Sequence, residues 1–145
     1  MQVSQVMTHA VSLAAPDQSI QEAAILMMES DSGSLPVGEN DRLIGILTDR
    51  YIAIRAVALG KGPKTPVREV MTEQVMYCFD DQDVREIART MADQQVRRLP
   101  VVNRDKRLVG IVALADLAVY QTDAAAEAIA GVSQPGGPHS QGMSN

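Results

Sequence analysis

The sequence predicts a mixed α/β (α+β) protein built from two copies of one β-α-β-β-α module. Two observations carry this reading: an internal repeat that holds its register along the chain, and cap and strand patterns that recur at matching places in both copies. Val6-Met7-Thr8 returns as Val70-Met71-Thr72, 64 residues on. The same offset pairs Asp17-Gln18 with Asp81-Gln82, Glu22 with Glu86, Ala24 with Ala88, Met27 with Met91 and Leu35-Pro36-Val37 with Leu99-Pro100-Val101. It then slips to 65, matching Leu43, Gly45 and Ile46 with Leu108, Gly110 and Ile111. The added residue falls in a polar turn, Gly38-Glu39-Asn40-Asp41 in one copy and Asn103-Arg104-Asp105-Lys106 in the other. Loop tips are where insertions are tolerated.

Each element has a local reason. Ser19-x-x-Glu22 and Asp83-x-x-Glu86 read as capping boxes that open the first helix of each copy. Behind them Ile20, Ala23, Ala24 and Met27, and Val84, Ile87, Ala88 and Met91, fall on one helical face. Leu35-Pro36-Val37 with Leu43 to Leu47, and Leu99 to Val102 with Leu108 to Val112, read as hairpins. Their near-continuous apolar runs imply burial on both faces. A second helix spans about Asp49 to Leu59 and stops at Gly60; its counterpart spans about Leu114 to Tyr120. By this reading residues 1–60 are the first repeat, 61–69 a linker, 70–121 the second repeat and 122–145 a flexible tail. Within that tail Asp123 to Ala130 has the composition to extend a helix, and His139 is a tail residue.

Composition narrows the function. The 145 residues carry a net charge of −5, with 3% aromatics, which argues against a nucleic-acid partner. No apolar run reaches the length of a membrane span, and the N-terminal Met-Gln-Val-Ser-Gln-Val-Met has neither a basic nor an apolar signal region. The expectation is a cytoplasmic protein with no membrane partner. One cysteine, Cys78, and two histidines, His9 and His139, leave little for a metal site or a nucleophile–base pair. Cys78 reads as a buried inert thiol and His9 as surface polar. Met7, Met27, Met28, Met71, Met76 and Met91 read as core and interface filler. No catalytic residues, required cofactor or metal are assigned, and the chain is not read as an enzyme.

Val-Met-Thr, the capped helix ending in Met, Leu-Pro-Val and Gly-Ile-Leu-Thr-Asp-Arg, with Arg-Arg-Leu-Pro-Val-Val and Leu-Val-Gly-Ile-Val in the second copy, resemble tandem CBS domains, named after cystathionine β-synthase. The likeness covers about residues 3 to 120, and the nearest type is the small stand-alone bacterial CBS pair. It implies two modules packed sheet to sheet with pseudo-twofold symmetry, two clefts between them, and dimerisation. It also implies an adenosine-containing ligand such as AMP, ATP or S-adenosylmethionine, held through Gly-x-x-[Ser/Thr]-x-x-Asp. In that pattern the hydroxyl meets phosphate and the Asp meets ribose.

Each copy keeps half of this motif. Counting from Gly45, the hydroxyl position holds Thr48 but the Asp position holds Tyr51; from Gly110 these positions hold Ala113 and Asp116. The resemblance implies a ligand set of Thr48, Asp49, Arg50, Thr72, Arg97, Arg98, Pro100 and Asp116. Several of these have a plain structural reading as well. Thr48 also reads as an N-cap and Asp49 as a favourable acid in a first turn. Asp116 also reads as a solvated side chain, and Arg50 with Arg55 as a surface pair. Arg97-Arg98 stand where the first copy has Gly33-Ser34, which makes the second cleft the better anion site. Ile25, Leu26, Met28, Tyr51, Ile54, Val57 and Ala58 offer apolar helix surface to a homodimer. Two functions follow: a regulatory module that senses an adenine nucleotide and signals to a protein partner, or a homodimeric scaffold with vestigial clefts.

Overall fold

The computed structural model describes residues 1–9 and 11–135, so the readings of His139 and the rest of 136–145 lie outside the described residues. In chain order the elements are α1 (Ile20–Ser30), β1 (Ser34–Glu39), β2 (Arg42–Thr48), α2 (Asp49–Arg55), β3 (Cys78–Phe79), α3 (Val84–Gln94), β4 (Arg98–Val102), β5 (Leu108–Ala113), α4 (Leu114–Tyr120) and α5 (Thr122–Val132). The fold is α+β. None of the described helices is long and apolar enough to cross a membrane.

The chain divides into two compact units whose limits differ from those of the sequence repeats. One, here the α1 unit, holds Ser12–Val75 with Lys106–Leu108; the other, the α3 unit, holds, among the described residues, those of 1–11, 76–105 and 109–135. The leading segment of each repeat therefore folds with the body of the other. The compact units thus cut across the sequence repeats 1–60 and 70–121. Repeats fix which segments are alike; they do not fix which copy each segment packs against.

In the α1 unit β1 and β2 form an antiparallel hairpin with Pro36 opposite Ile46 and Val37 opposite Gly45. Its turn places Asn40 and Asp41 at φ 54° and 64°, the left-handed pair that matches strand twist in tight hairpins. The expected leading strand shrinks to one parallel bridge, Ala14 with Val37. Ser19 Oγ accepts from Glu22 N–H at 3.1 Å and starts α1, while Ile20, Ala23 and Met27 face the core. A 3-10 turn, Val57–Leu59, follows α2, and Gly60 ends it at φ 79°. The presumed linker is held by Ile20 N–H to Thr65 O and Val67 N–H to Gln18 O, each 2.8 Å. Val67, placed in the linker from composition, is fully buried in this core beside Val70.

In the α3 unit the strands run in the order β3-β4-β5, with β3 parallel to β4. Val3, Val6 and Met7 are buried here against Val84, Ile87, Met91 and Leu99. The cap of α3 differs from the expected box. The Asp83 carboxylate accepts from Arg85 N–H at 2.8 Å, and Glu86 takes a bond from Gln82 Nε2 at 3.0 Å instead of returning one to the cap. β4 is buried on both faces from Leu99 to Val102 as expected, whereas β2 and β5 fully bury only alternate residues.

The tail assignment also changes. Thr122–Val132 is a helix, α5, whose Ala124, Ala125 and Ala128 are buried in the α3-unit core. Alanine is the best helix former, and a small side chain lets two helices approach closely. The approach is closest at Gly131, where an added Cβ would fall on Ala92. Met28, read both as core or interface filler and as apolar helix surface, is 73% exposed.

One contact recurs in both units. Thr72 pairs across β2 with Ile46, and Thr8 pairs across β5 with Ile111. Each crossing passes over a strand glycine. A Cβ on Gly45 would stand 2.7 Å from Met71 Sδ and 2.9 Å from Thr72 O; on Gly110 it would stand 2.7 Å from both Met7 Sδ and Thr8 O. A methionine tip can move, but the threonine carbonyl is backbone. Gly45→Ala and Gly110→Ala should each destabilise by about 1–3 kcal/mol, the usual range for overpacking, measured as a shift of the urea midpoint at unchanged m.

Cys78 is buried in the α3-unit core, and burial, reinforced by the charge of Asp80, pushes its thiol from 9.0 up to about 12. The native state thus holds a proton that the unfolded chain releases above pH 9.0. Stability should be unaffected by this group below that pH and fall as pH rises toward 12. The urea midpoint of the wild type should decline more steeply above pH 9 than that of Cys78→Ala.

Candidate functional site

In each unit a strand runs directly into a helix, and the motif residues lie at that junction. Thr48 ends β2 and caps α2, with φ −125° and ψ 160°. Its Oγ1 accepts from Tyr51 N–H at 3.0 Å, so the hydroxyl serves as the cap. Asp49 N–H donates to Gly33 O at 2.9 Å, and its Oδ1 accepts from Arg50 N–H at 2.8 Å. The carboxylate lies over Gly33, where a Cβ would come within 2.7 Å of Asp49 Oδ2. Arg50 is exposed.

Tyr51, at the ribose position of the motif, is half-buried beneath Arg55, whose guanidinium carbon sits 3.8 Å from the ring centroid. Arg55 Nη1 also donates to Val70 O at 3.0 Å and Thr72 Oγ1 at 2.9 Å. This corrects the surface-pair reading of Arg50 and Arg55. Arg55 turns inward to pin the Val-Met-Thr segment, and it engages the hydroxyl of Thr72.

The α3 unit has the same backbone with different chemistry. Ala113 caps α4 at φ −119° and ψ 158° but has no side-chain acceptor. Asp116 compensates: its Oδ2 accepts from Ala113 N–H at 2.8 Å. The half-buried carboxylate is thus anchored through one oxygen, which replaces the solvated reading. Leu114 N–H donates to Arg97 O at 2.9 Å, repeating the Asp49–Gly33 bond. Leucine carries no carboxylate there, so the glycine is not needed and Arg97 stands in its place. Arg97 and Arg98 are exposed at the start of β4, and Pro100 is buried within it.

The named residues therefore separate. Thr48, Asp49, Arg50 and Thr72 belong to the α1 unit; Arg97, Arg98, Pro100 and Asp116 belong to the α3 unit. The sequence reading passed over Thr8. Its N–H donates to Ile111 O at 2.8 Å and its carbonyl accepts from Ile111 N–H at 3.0 Å, so it takes the place in the α3 unit that Thr72 takes in the α1 unit. The 64-residue offset that pairs Thr8 with Thr72 was the available signal. Among the described residues no group of three or more His, Cys, Asp or Glu is placed to hold a metal ion.

The family model of the CBS domain matches this chain twice, over residues 3–57 and 67–123. The chain belongs to the CBS-domain family. Among CBS proteins, it is 45% identical over 119 residues to the CBS domain-containing protein YhcV of Bacillus subtilis, covering 82% of this chain and 84% of that one. Hypoxic response protein 1 of Mycobacterium tuberculosis is 38% identical over 115 residues, 78% of this chain and 80% of that protein. A crystal structure of Hypoxic Response Protein I with two coordinated zinc ions superposes with a TM-score of 0.75 at 36% identity, over 83% of this chain and 98% of that chain. The CBS domain pair of protein MJ0100, in complex with 5′-methylthioadenosine and S-adenosyl-L-methionine, superposes with a TM-score of 0.72 at 28% identity, over 85% and 97%.

Within the first CBS motif, Arg55 is the residue with most to lose. Arg55→Met keeps an apolar stem over Tyr51 but strands Val70 O and Thr72 Oγ1, and should destabilise by about 1–3 kcal/mol. Arg50→Met, at an exposed position, should lie within about 0.5 kcal/mol of wild type in the same urea titration.

Proposed function

We propose that this chain is a CBS pair with a regulatory rather than catalytic role. It senses an adenosine-containing ligand, such as AMP, ATP or S-adenosylmethionine, and passes its state to a protein partner in the cytoplasm. The observation that carries the reading is its likeness, along nearly the whole of both chains, to a CBS pair that holds 5′-methylthioadenosine and S-adenosyl-L-methionine. The α3-unit motif is the better ligand site. Asp116 is held in place through one oxygen, and a carboxylate has acceptor capacity beyond a single bond for ribose hydroxyls. Arg97 and Arg98 bring positive charge to the same unit, where the first copy has Gly33 and Ser34. In the α1 unit Thr48 is engaged as a cap, and Tyr51 lies under Arg55.

A second reading, a homodimeric scaffold whose motifs are vestigial, draws support from those internal engagements of Thr48 and Tyr51. Both readings include self-association. Ile25 and Met28 on α1, Ile54 on α2 and Val57 and Leu59 beyond it are exposed apolar side chains. Sedimentation equilibrium should give a dimer at tens of micromolar, roughly the range in which an interface of micromolar affinity or better is populated; a monomer there removes the dimer from both readings.

Calorimetric titration with AMP and ATP separates the readings. Asp116→Asn keeps an acceptor for Ala113 N–H but loses the charge, and should weaken binding by about 1–3 kcal/mol, roughly 5- to 150-fold. Tyr51→Ala should change it less. Ala113→Thr restores the missing hydroxyl and should tighten binding. If neither wild type nor Ala113→Thr takes up nucleotide at millimolar concentration, about −4 kcal/mol, the scaffold reading stands and the sensor reading falls.

A further inference from the structure

The helix α5 has no counterpart in the first repeat, and that difference allows a comparison within one molecule. By the 64-residue offset, Gln21, Ala24 and Met28 on α1 and its C-cap Asp31 correspond to Arg85, Ala88 and Ala92 on α3 and its C-cap Gln95. Ala88 is fully buried, whereas Ala24 is exposed. Gly131 of α5 presses on Ala92, whereas Met28 stands in solvent. Arg85 donates to Asp123 of α5 at 2.7 Å, and Gln95 Nε2 donates to Gly131 O at 3.3 Å and to Gln134 O. The α1 unit nevertheless keeps Ile20, Ala23, Met27, Leu35 and Leu47 buried with no such helix on it. The first repeat thus forms its core with this face uncovered, whereas in the second the face is covered by α5, whose Ala124, Ala125 and Ala128 join the core.

The attachment of α5 is short. α4 ends at Tyr120 and α5 begins at Thr122, so Gln121 alone, at φ −145° and ψ 78°, breaks what would otherwise be one helix from Leu114 to Val132. Neither glycine nor proline occurs between Leu114 and Ala130. Straightening Gln121 into helical geometry would add backbone hydrogen bonds across the break and carry α5 off α3. The seat it leaves is specific, with alanine positions, an ion-pair partner and the Gln95 hook. A one-residue hinge between an arm and its own seat is the geometry that favours exchange between copies, because every arm–seat contact is reproduced when a second chain supplies the arm.

We infer that α5 is an exchange arm: on opening at Gln121, the α5 of one copy occupies the α3 seat of a second copy of this chain, giving a reciprocal dimer. This dimer is independent of the nucleotide reading. It is also distinct from association through the exposed side chains of α1 and α2.

The test is cross-linking in the full chain with Cys78→Ala and a cysteine pair, Arg85→Cys with Asp123→Cys, joined by a short bismaleimide. A cross-link within one chain runs as a monomer on a denaturing gel; one across an exchanged arm runs as a covalent dimer. Chains with only one of the two cysteines set the background. The covalent dimer should exceed that background and grow with protein concentration. Gln121→Ala, which favours the continuous helix, should raise it several-fold. Four Gly-Ser residues inserted after Gln121 lengthen the hinge and should return it to background while the intrachain product persists. Covalent dimer at background in both the parent and Gln121→Ala overturns the inference, as does dimer that the insertion leaves unchanged. A sedimentation dimer that gives only intrachain product belongs to the α1 and α2 surface and likewise counts against exchange. Should the cysteine pair unfold the chain, mixing light and heavy-isotope protein with native α5 and following heterodimer by mass spectrometry reads the same exchange. Heterodimer that the hinge insertion abolishes supports it, and none, or heterodimer that survives the insertion, overturns it.

Discussion

In each unit a Val-Met-Thr segment passes closely over a strand glycine, and much of the architecture follows from it. With Thr72 O and Met71 Sδ where a Cβ of Gly45 would be, and Thr8 O and Met7 Sδ where a Cβ of Gly110 would be, no larger residue fits without movement. The segment adds two backbone hydrogen bonds to its strand and delivers buried valines, Val67 and Val70 in one unit and Val3 and Val6 in the other. A short chain gains a core in this way without a long leading strand, which shrinks to a single bridge in one copy and two residues in the other. The repeated Val-Met-Thr and the repeated glycine are two sides of one contact.

The strand-to-helix junctions show how one backbone accommodates two chemistries. Thr48 and Ala113 have nearly the same φ and ψ, and each opens a seven-residue helix. In the first the hydroxyl caps from the N-cap position; in the second the acid three residues on reaches back instead. Either half satisfies an end amide that would otherwise need water. The split of the family motif is therefore stable on structural grounds alone. Whatever a ligand contributes is added to helices that already have working caps.

Much of this was legible in the sequence because it depends on neighbours a few residues apart. The Ser19 cap, the Asn40-Asp41 turn, the stop at Gly60 and the limits of α4 are local events. What was not legible depends on distant partners. Arg55 looks like an exposed helix residue until Val70 and Thr72 are brought beneath it, fifteen and seventeen residues away. Thr122–Val132 lies next to a Gly- and Pro-rich stretch, and its alanines gave no amphipathic signal strong enough to outweigh that composition. Its burial comes from a groove on α3 lined by Ala88 and Ala92, two residues that read equally well as filler.

The crossing of leading segments also sets where the molecule can be divided. A fragment cut at the repeat boundary would carry Gly45 without Met71 and Thr72, and Gly110 without Met7 and Thr8. Each half would expose the strand its crossing segment covers and would leave several core valines behind. The divisible piece is residues 12–75, which keeps one glycine with its own methionine and forgoes the Arg107–Asp41 ion pair, the Leu108 bond to Asp41 and the Arg42–Arg107 bridge. A single repeat of this sequence is thus a unit of pattern without being a unit of folding, and a half-molecule for labelling or expression has to be drawn along the contacts.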